Sequence, residues 1–247
     1  SDIFPTGYFG ADIAGIKPGD TVVVFGCGPV GQFAIASSKL MDAGRVLAVD
    51  TVPSRLEMAR AQGAEVIDYN AEDPVEAIRR LTGGVGADRA IDAVGVDANS
   101  PHDGPAYKKA KQMRKVFQKE LAEIAPTTNP SGDNWRPGDA PSQVLFWACE
   151  ALAKAGTLSI IGVYPQTAHS FPIGMAMNKN LTMQMGNCPH RKYVPVLVDL
   201  VQSGMVDPTQ VLTNVAPLAS AIEAYKAFDQ RQPGWVKVEL EPVMSMA

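Results

Sequence analysis

Between Thr21 and Gly162 short apolar runs alternate with amphipathic stretches of about ten residues, a rhythm that predicts βαβ units around a buried parallel sheet. Thr21 to Phe25 carries Val22, Val23 and Val24 in succession, apolar on both faces, which predicts a central strand. Val30 to Leu40 reads as a helix, Arg45 to Asp50 as the second strand, and Ser54 to Gln62 as a second helix that Gly63 can end. At Asp73-Pro74-Val75-Glu76 another helix should start: Asp73 can cap, Pro74 needs no amide partner at the first helical position, and Glu76 can reach back. Arg89 to Val94 and Thr157 to Ile161 supply later strands. Short connections and right-handed crossovers make a doubly wound α/β parallel sheet the expected fold.

The stretch from Asn99 to Pro141 breaks this rhythm and reads as an insertion. Ala110, Met113, Phe117, Leu121 and Ile124 fall at three- and four-residue spacing among six lysines and arginines, which predicts a basic amphipathic helix. Pro126 to Pro141 is rich in Pro, Gly, Asn and Asp and reads as a loop of the kind that serves as a lid or a contact. Beyond Gly162 the pattern predicts a strand at Leu181 to Met185, helices near Tyr193 to Ser203 and Ser220 to Phe228, and a last strand at Val236 to Leu240, followed by a short tail over 241–247. Domain organisation is expected as a junction remnant over 1–20 and one domain over 21–240.

Composition narrows the function classes. A net charge of −4 offers no general attraction to phosphate backbones or anionic membranes, so neither nucleic acid nor membrane is an expected partner. No apolar run reaches the roughly 18 residues of a membrane span, and no signal-peptide order opens the chain. Cys27, Cys149 and Cys188 are odd in number and far apart, which argues against a disulfide framework and fits a cytoplasmic location. The opening at Ser1 without Met suggests a processed or excised segment.

The sharpest chemical signal is Gly26-Cys27-Gly28-Pro29-Val30-Gly31, between the valine strand and the next helix. Gly26 permits a tight turn, Gly28 lets backbone amides approach a diphosphate, and Gly31 lets the helix lie close on the sheet. Asp50 ends the second strand 19 residues after Gly31, where a carboxylate would accept both hydroxyls of an adenosine ribose and repel a 2′-phosphate. NAD is therefore expected over NADP. Arg55 is read equally as a ribose contact that tolerates NADP or as a solvated charge. Val94-Gly95 and Gly162-Val163 end two strands and are expected to line the ligand crevice by backbone contact.

With these residues in place the chain resembles the cofactor-binding Rossmann portion of the zinc-dependent medium-chain alcohol dehydrogenases, and most the formaldehyde dehydrogenase-like branch. The resemblance rests on Ser1-Asp2-Ile3-Phe4-Pro5-Thr6-Gly7-Tyr8, Val24 to Gln32, Ile91-Asp92-Ala93-Val94-Gly95, Ile160-Ile161-Gly162-Val163-Tyr164, Met185-Gly186-Asn187-Cys188 and Pro233-Gly234-Trp235-Val236-Lys237. It implies that Thr6 contacts the nicotinamide ring, that Lys237 pairs with the diphosphate, and that Asp2 stands where the branch places a ligand of the catalytic zinc. Phe9 departs from the histidine the resemblance leads one to expect. The family's other zinc ligands lie in a preceding domain that this sequence lacks. The resemblance thus implies hydride transfer between an alcohol or hydrated aldehyde and NAD in a complete enzyme, and a zinc-free, inactive cofactor-binding fragment here. Cys188-Pro189-His190 reads as structural.

Three other readings remain at this stage. Tyr107 and Lys111 have the Tyr-x-x-x-Lys spacing of short-chain dehydrogenases, and a methyltransferase-like fold also pairs glycine loops with an acidic strand end. The third is a non-catalytic NAD-binding redox sensor or scaffold that uses the basic helix to contact a protein. Self-association is expected through Met175 to Met185, which resembles the family's sheet-edge contact.

Overall fold

The computed structural model describes residues 2–125 and 137–242. Most of the loop expected over Pro126 to Pro141, and the end of the tail, lie outside the described residues. Six strands build one parallel sheet: β1 (Thr21–Phe25), β2 (Arg45–Asp50), β3 (Glu65–Asp68), β4 (Ala87–Asp92), β5 (Leu152–Ile160) and β6 (Thr182–Met185), in the spatial order β3-β2-β1-β4-β5-β6. The first two match their expected bounds residue for residue. After β3 the chain returns to the far side of β1, so the order reverses between β1 and β4, where doubly wound sheets open a ligand crevice.

Nine helices are described: α1 (Ile3–Ala14), α2 (Pro29–Leu40), α3 (Pro53–Ala61), α4 (Pro74–Leu81), α5 (Gly104–Ile124), α6 (Gln143–Ala151), α7 (Ile173–Asn178), α8 (His190–Gln202) and α9 (Ala221–Asp229). The two-residue period of β1 divides the core between them. Val22 and Val24 point into the cluster under α1, α2 and α8, whereas Val23 and Phe25 point into the cluster under α4 and α6. Asp73 caps α4 as its sequence implies, accepting from the Val75 and Glu76 amides at 3.0 and 3.1 Å. Glu76 does not reach back; it lies 3.5 Å from Lys109 of α5.

Three elements had little sequence signal. Interior glycines argue against a helix at α1, yet a methyl on Gly7 would stand 2.7 Å from the Ala34 nitrogen and one on Gly10 2.7 Å from Ile161 Cδ1. Close crossing of α1 over α2 and the sheet therefore outweighs the propensity cost, about 1 kcal/mol per glycine. Phe4, Phe9, Ala11 and Ala14 of this helix join the core, so the segment expected as a junction remnant packs into the main body. Helix α6 is buried at seven of its nine residues and has no polar face to reveal a period. Strand β3 is only four residues long at the sheet edge. The last strand, β8 (Val238–Glu241), does not extend the sheet but pairs in parallel with β7 (Asn214–Pro217).

The insertion supplies α5, which buries Ala110, Phe117 and Ile124 of the expected apolar positions, leaves Met113 and Leu121 half-buried, and also buries Ala106 and Glu120. Ser142 Oγ donates to Glu120 Oε2 at 2.7 Å, while Oε1 has no partner among the described residues. Burial pushes the Glu120 carboxyl above the usual carboxylate range, against the opposing pull of the Ser142 hydrogen bonds. The folded state then holds this proton to higher pH than the unfolded chain. Its contribution is fully present below the unfolded carboxyl pKa and is lost as pH rises through the folded one. Denaturation curves from pH 4 to 8 should show Glu120→Gln losing less stability with rising pH than the parent; parallel curves would refute a buried, proton-holding carboxyl.

Candidate functional site

At the end of β1 the backbone turns at Gly26, with φ +87°, and the Gly26 amide donates to the Val49 carbonyl at 2.8 Å. Gly28 is extended and precedes Pro29 at the first position of α2. A methyl at Gly31 would come within 1.8 Å of the Gly26 carbonyl oxygen, so only glycine lets α2 lie this close to the turn. A methyl at Gly28 would meet only Arg55, at 3.7 Å, leaving open space above the loop. First-turn amides of a helix have no intrahelical acceptor, and here they come with the positive end of the helix dipole. Val30 packs beside the core instead of lining the cavity.

Asp50 is buried at the end of β2 and holds this loop in place. Its Oδ2 accepts from the Cys27 amide at 2.7 Å, and its Oδ1 from the Thr51 and Val52 amides at 2.7 and 2.9 Å. With Oδ1 doubly engaged, Oδ2 has one lone-pair direction left for a ligand.

Around these residues lies a cavity of about 540 Å³. Gly26, Gly28, Pro29, Asp50, Arg55 and Val94 line it, so six of the expected residues converge at the carboxyl ends of β1, β2 and β4. Tyr69, just past β3, and Trp147 of α6 add an aromatic wall, their ring centroids 5.5 Å apart. Burial, with the charge of Asp50, pushes the Tyr69 phenol up to about 12, so it remains a hydroxyl donor near neutrality. Phe228, Asp229 and Arg231 close the cavity from the end of α9. Nothing in the strand-helix rhythm pointed to them.

Gly95, Gly162 and Val163 form a ledge beside this cavity. Gly95 is left-handed at φ +67°, and a methyl there would stand 2.4 Å from the Val163 nitrogen, while one on Gly162 would stand 2.2 Å from the Gly95 nitrogen. Asp92, fully buried, fixes the ledge by accepting from the Val94 and Gly95 amides at 2.9 and 3.0 Å and from the Tyr164 hydroxyl at 2.7 Å. Burial raises its carboxyl above the ordinary range, with those three donors pulling the other way.

The remaining expected residues stand elsewhere. Thr6 Oγ1 donates to the Asp2 carbonyl at 2.8 Å, and Asp2 Oδ1 lies 2.6 Å from His190 Nε2. Cys188 is nearby, its thiol raised by burial and lowered by a hydrogen bond with Thr6. Among the described residues no three His, Cys, Asp or Glu side chains converge to hold a metal, so they do not by themselves fit a zinc ion. Lys237 lines a different, apolar groove with Ile3, Phe4 and Val201. Phe9 is buried against Tyr193, with ring centroids 5.8 Å apart, which accounts for an aromatic ring there. Lys111 Nζ sits 4.3 Å over the Tyr107 ring, and neither residue lines the cavity that the glycine loop opens.

Fold and loop together define a doubly wound domain with a dinucleotide-type phosphate turn. Residues 29–102 match the zinc-binding dehydrogenase family model. An uncharacterized zinc-type alcohol dehydrogenase-like protein, AdhB, of Bacillus subtilis is 35% identical over 98% of this chain and 58% of its own length. A glutathione-independent formaldehyde dehydrogenase of Pseudomonas aeruginosa is 33% identical over 94% of this chain and 54% of its own. Among solved structures, alcohol dehydrogenase TADH from Thermus sp. ATN1 superposes with a TM-score of 0.73 at 27% identity, covering 98% of this chain and 57% of that one. Over nearly all of its residues the chain is similar to zinc-type alcohol dehydrogenases, and it spans about half the length of the curated relatives it matches.

The two loop glycines should separate on substitution. Gly31→Ala is expected to lower the melting temperature, because the loop must shift to admit the methyl. Gly28→Ala should melt as the parent does and bind adenine nucleotides about ten-fold or more weakly, because its methyl fills the phosphate approach. Equal melting temperatures for the two variants would contradict this geometry.

Proposed function

We propose that this chain is the NAD(H)-binding part of an alcohol or aldehyde oxidoreductase. The observation that carries the reading is the cavity at the sheet's switch point, where the phosphate turn, the α2 amides and the one free acceptor of Asp50 meet. A diphosphate would lie on Gly26 to Gly31, the adenosine ribose would donate to Asp50 Oδ2, and the ledge of Gly95, Gly162 and Val163 would continue the crevice. In the complete enzyme, hydride would pass between a small alcohol or hydrated aldehyde and the nicotinamide bound here. Asp2 and Thr6 head α1, where the resemblance puts a metal ligand and a nicotinamide contact. Further ligands would have to come from outside the described residues. No residue of this chain is assigned a catalytic role.

The similarity to a relative named as a formaldehyde dehydrogenase, and to one named as alcohol dehydrogenase-like, supports this over a non-catalytic sensor. We also place the protein in a reducing compartment such as the cytoplasm, which its three free cysteines support. Among the described residues no helix is long and apolar enough to cross a membrane. We further propose a homo-oligomer joined at the open edge of β6, where Met177, Ile173 and Met185 are exposed.

Calorimetric titration should give saturable one-site binding of NAD, and of NADP more weakly; absence of NAD binding would remove the reading. Assays with ethanol and formaldehyde should show no turnover by these 247 residues alone. Sedimentation should give a species larger than a monomer that Met185→Lys dissociates, and a monomer at all concentrations would refute the edge contact.

A further inference from the structure

Arg231 lies outside the strand-helix alternation, just past α9, and lines the same cavity as Gly28, Asp50 and Arg55. Its backbone is left-handed at φ +52°, a conformation that side chains other than glycine seldom adopt. Among the described residues its guanidinium makes one hydrogen bond, from Nη2 to the Asp97 carbonyl at 3.4 Å, which is a weak tether. Arg55 stands at the phosphate loop, with Nη1 3.7 Å from where a Gly28 methyl would be. Neither arginine forms an ion pair among the described residues.

Two guanidinium groups thus line one cavity, and among the described residues neither is ion-paired with a carboxylate. Burial pushes Arg55 below its ordinary value; the charge of Asp50 opposes that shift, and the charge of Arg231 adds to it. Asp50 cannot serve both arginines, because three amides already occupy most of its acceptor capacity. An anion lodged between like charges relieves their repulsion, and the planar donor forks of arginine match phosphate oxygens.

We propose that Arg231 and Arg55 form a two-sided clamp for a phosphate group of the bound adenosine nucleotide, with Arg231 contributed from outside the nucleotide fold. This rests on the nucleotide-binding reading above. The weaker NADP binding expected from Asp50 favours the 5′-phosphate common to all adenine dinucleotides over a 2′-phosphate on the ribose as the group held. Both present the same chemistry to the arginines.

Adenosine, 5′-AMP and 2′-AMP titrated into the parent, Arg231→Gln, Arg231→Lys and Arg55→Gln distinguish these cases. Arg231→Gln should weaken the preferred monophosphate about ten-fold or more, as expected for loss of a charge-assisted hydrogen bond, and leave adenosine within about two-fold. Arg231→Lys should restore part of the loss, and the melting temperature without ligand should stay at the parent value. The affected isomer identifies the phosphate held. Equal weakening of adenosine and the monophosphate, or no weakening of a monophosphate that the parent binds, would overturn the clamp. Failure of the parent to bind any of the three would instead sink the nucleotide-binding reading, and the clamp with it.

Discussion

The hydrogen bond from the Cys27 amide to Asp50 joins two strands at the point where the site is built. One carboxylate secures the turn after β1 through Oδ2 and the start of α3 through Oδ1. The glycine turn, the buried carboxylate of Asp50 and the helix that carries Arg55 thus share one anchor. Charge-assisted bonds to backbone amides are strong, and losing the acceptor would strand three donors in a partly buried place. Loop geometry and ligand recognition cannot vary independently here, since the oxygen left for a ligand belongs to the group that shapes the loop.

Around that anchor the site is shaped by backbone contacts that exclude side chains. Gly31 rests on the Gly26 carbonyl, and Gly95 rests on Gly162. Each pair closes a gap in which a methyl would clash, and together they set how closely α2 and the turns after β4 and β5 approach the crevice. Asp92 repeats, one strand over, the device seen at Asp50: a buried strand-end carboxylate that accepts from the amides of the following turn. Parallel strands end in unpaired amides on one edge, and acidic residues at those ends satisfy them while leaving the crevice open.

Much of this was legible in the sequence because the central elements obey local rules. The valine run marked a strand covered on both faces, the glycine spacing marked the turn, and the distance to Asp50 marked the second strand. What escaped depends on tertiary contact. Gly7 and Gly10 speak against a helix until α2 and Ile161 are placed beside them. Helix α6 lost its period because it is buried nearly all round. Among the site residues, Arg231 reaches the cavity from a distant helix end, and no spacing rule connects it to the phosphate loop. Lys237, which the resemblance assigns to the diphosphate, lines the apolar groove beside α1 and α8 and is not among the residues around the glycine turn's cavity.

At Gly7 the crossing of α1 over α2 brings backbone against backbone, a methyl there standing 2.7 Å from the Ala34 nitrogen, with the Phe4 and Phe33 rings stacked between the same two helices. Soft packing would absorb a small tilt by rotamer changes, whereas bare backbone against backbone transmits it. The phosphate turn sits at one end of α2, and Asp2 and Thr6 sit at the head of α1. The contact at Gly7 thus couples the helix that begins at the turn to the one that begins at Ile3, with little slack at that point to absorb a shift of either.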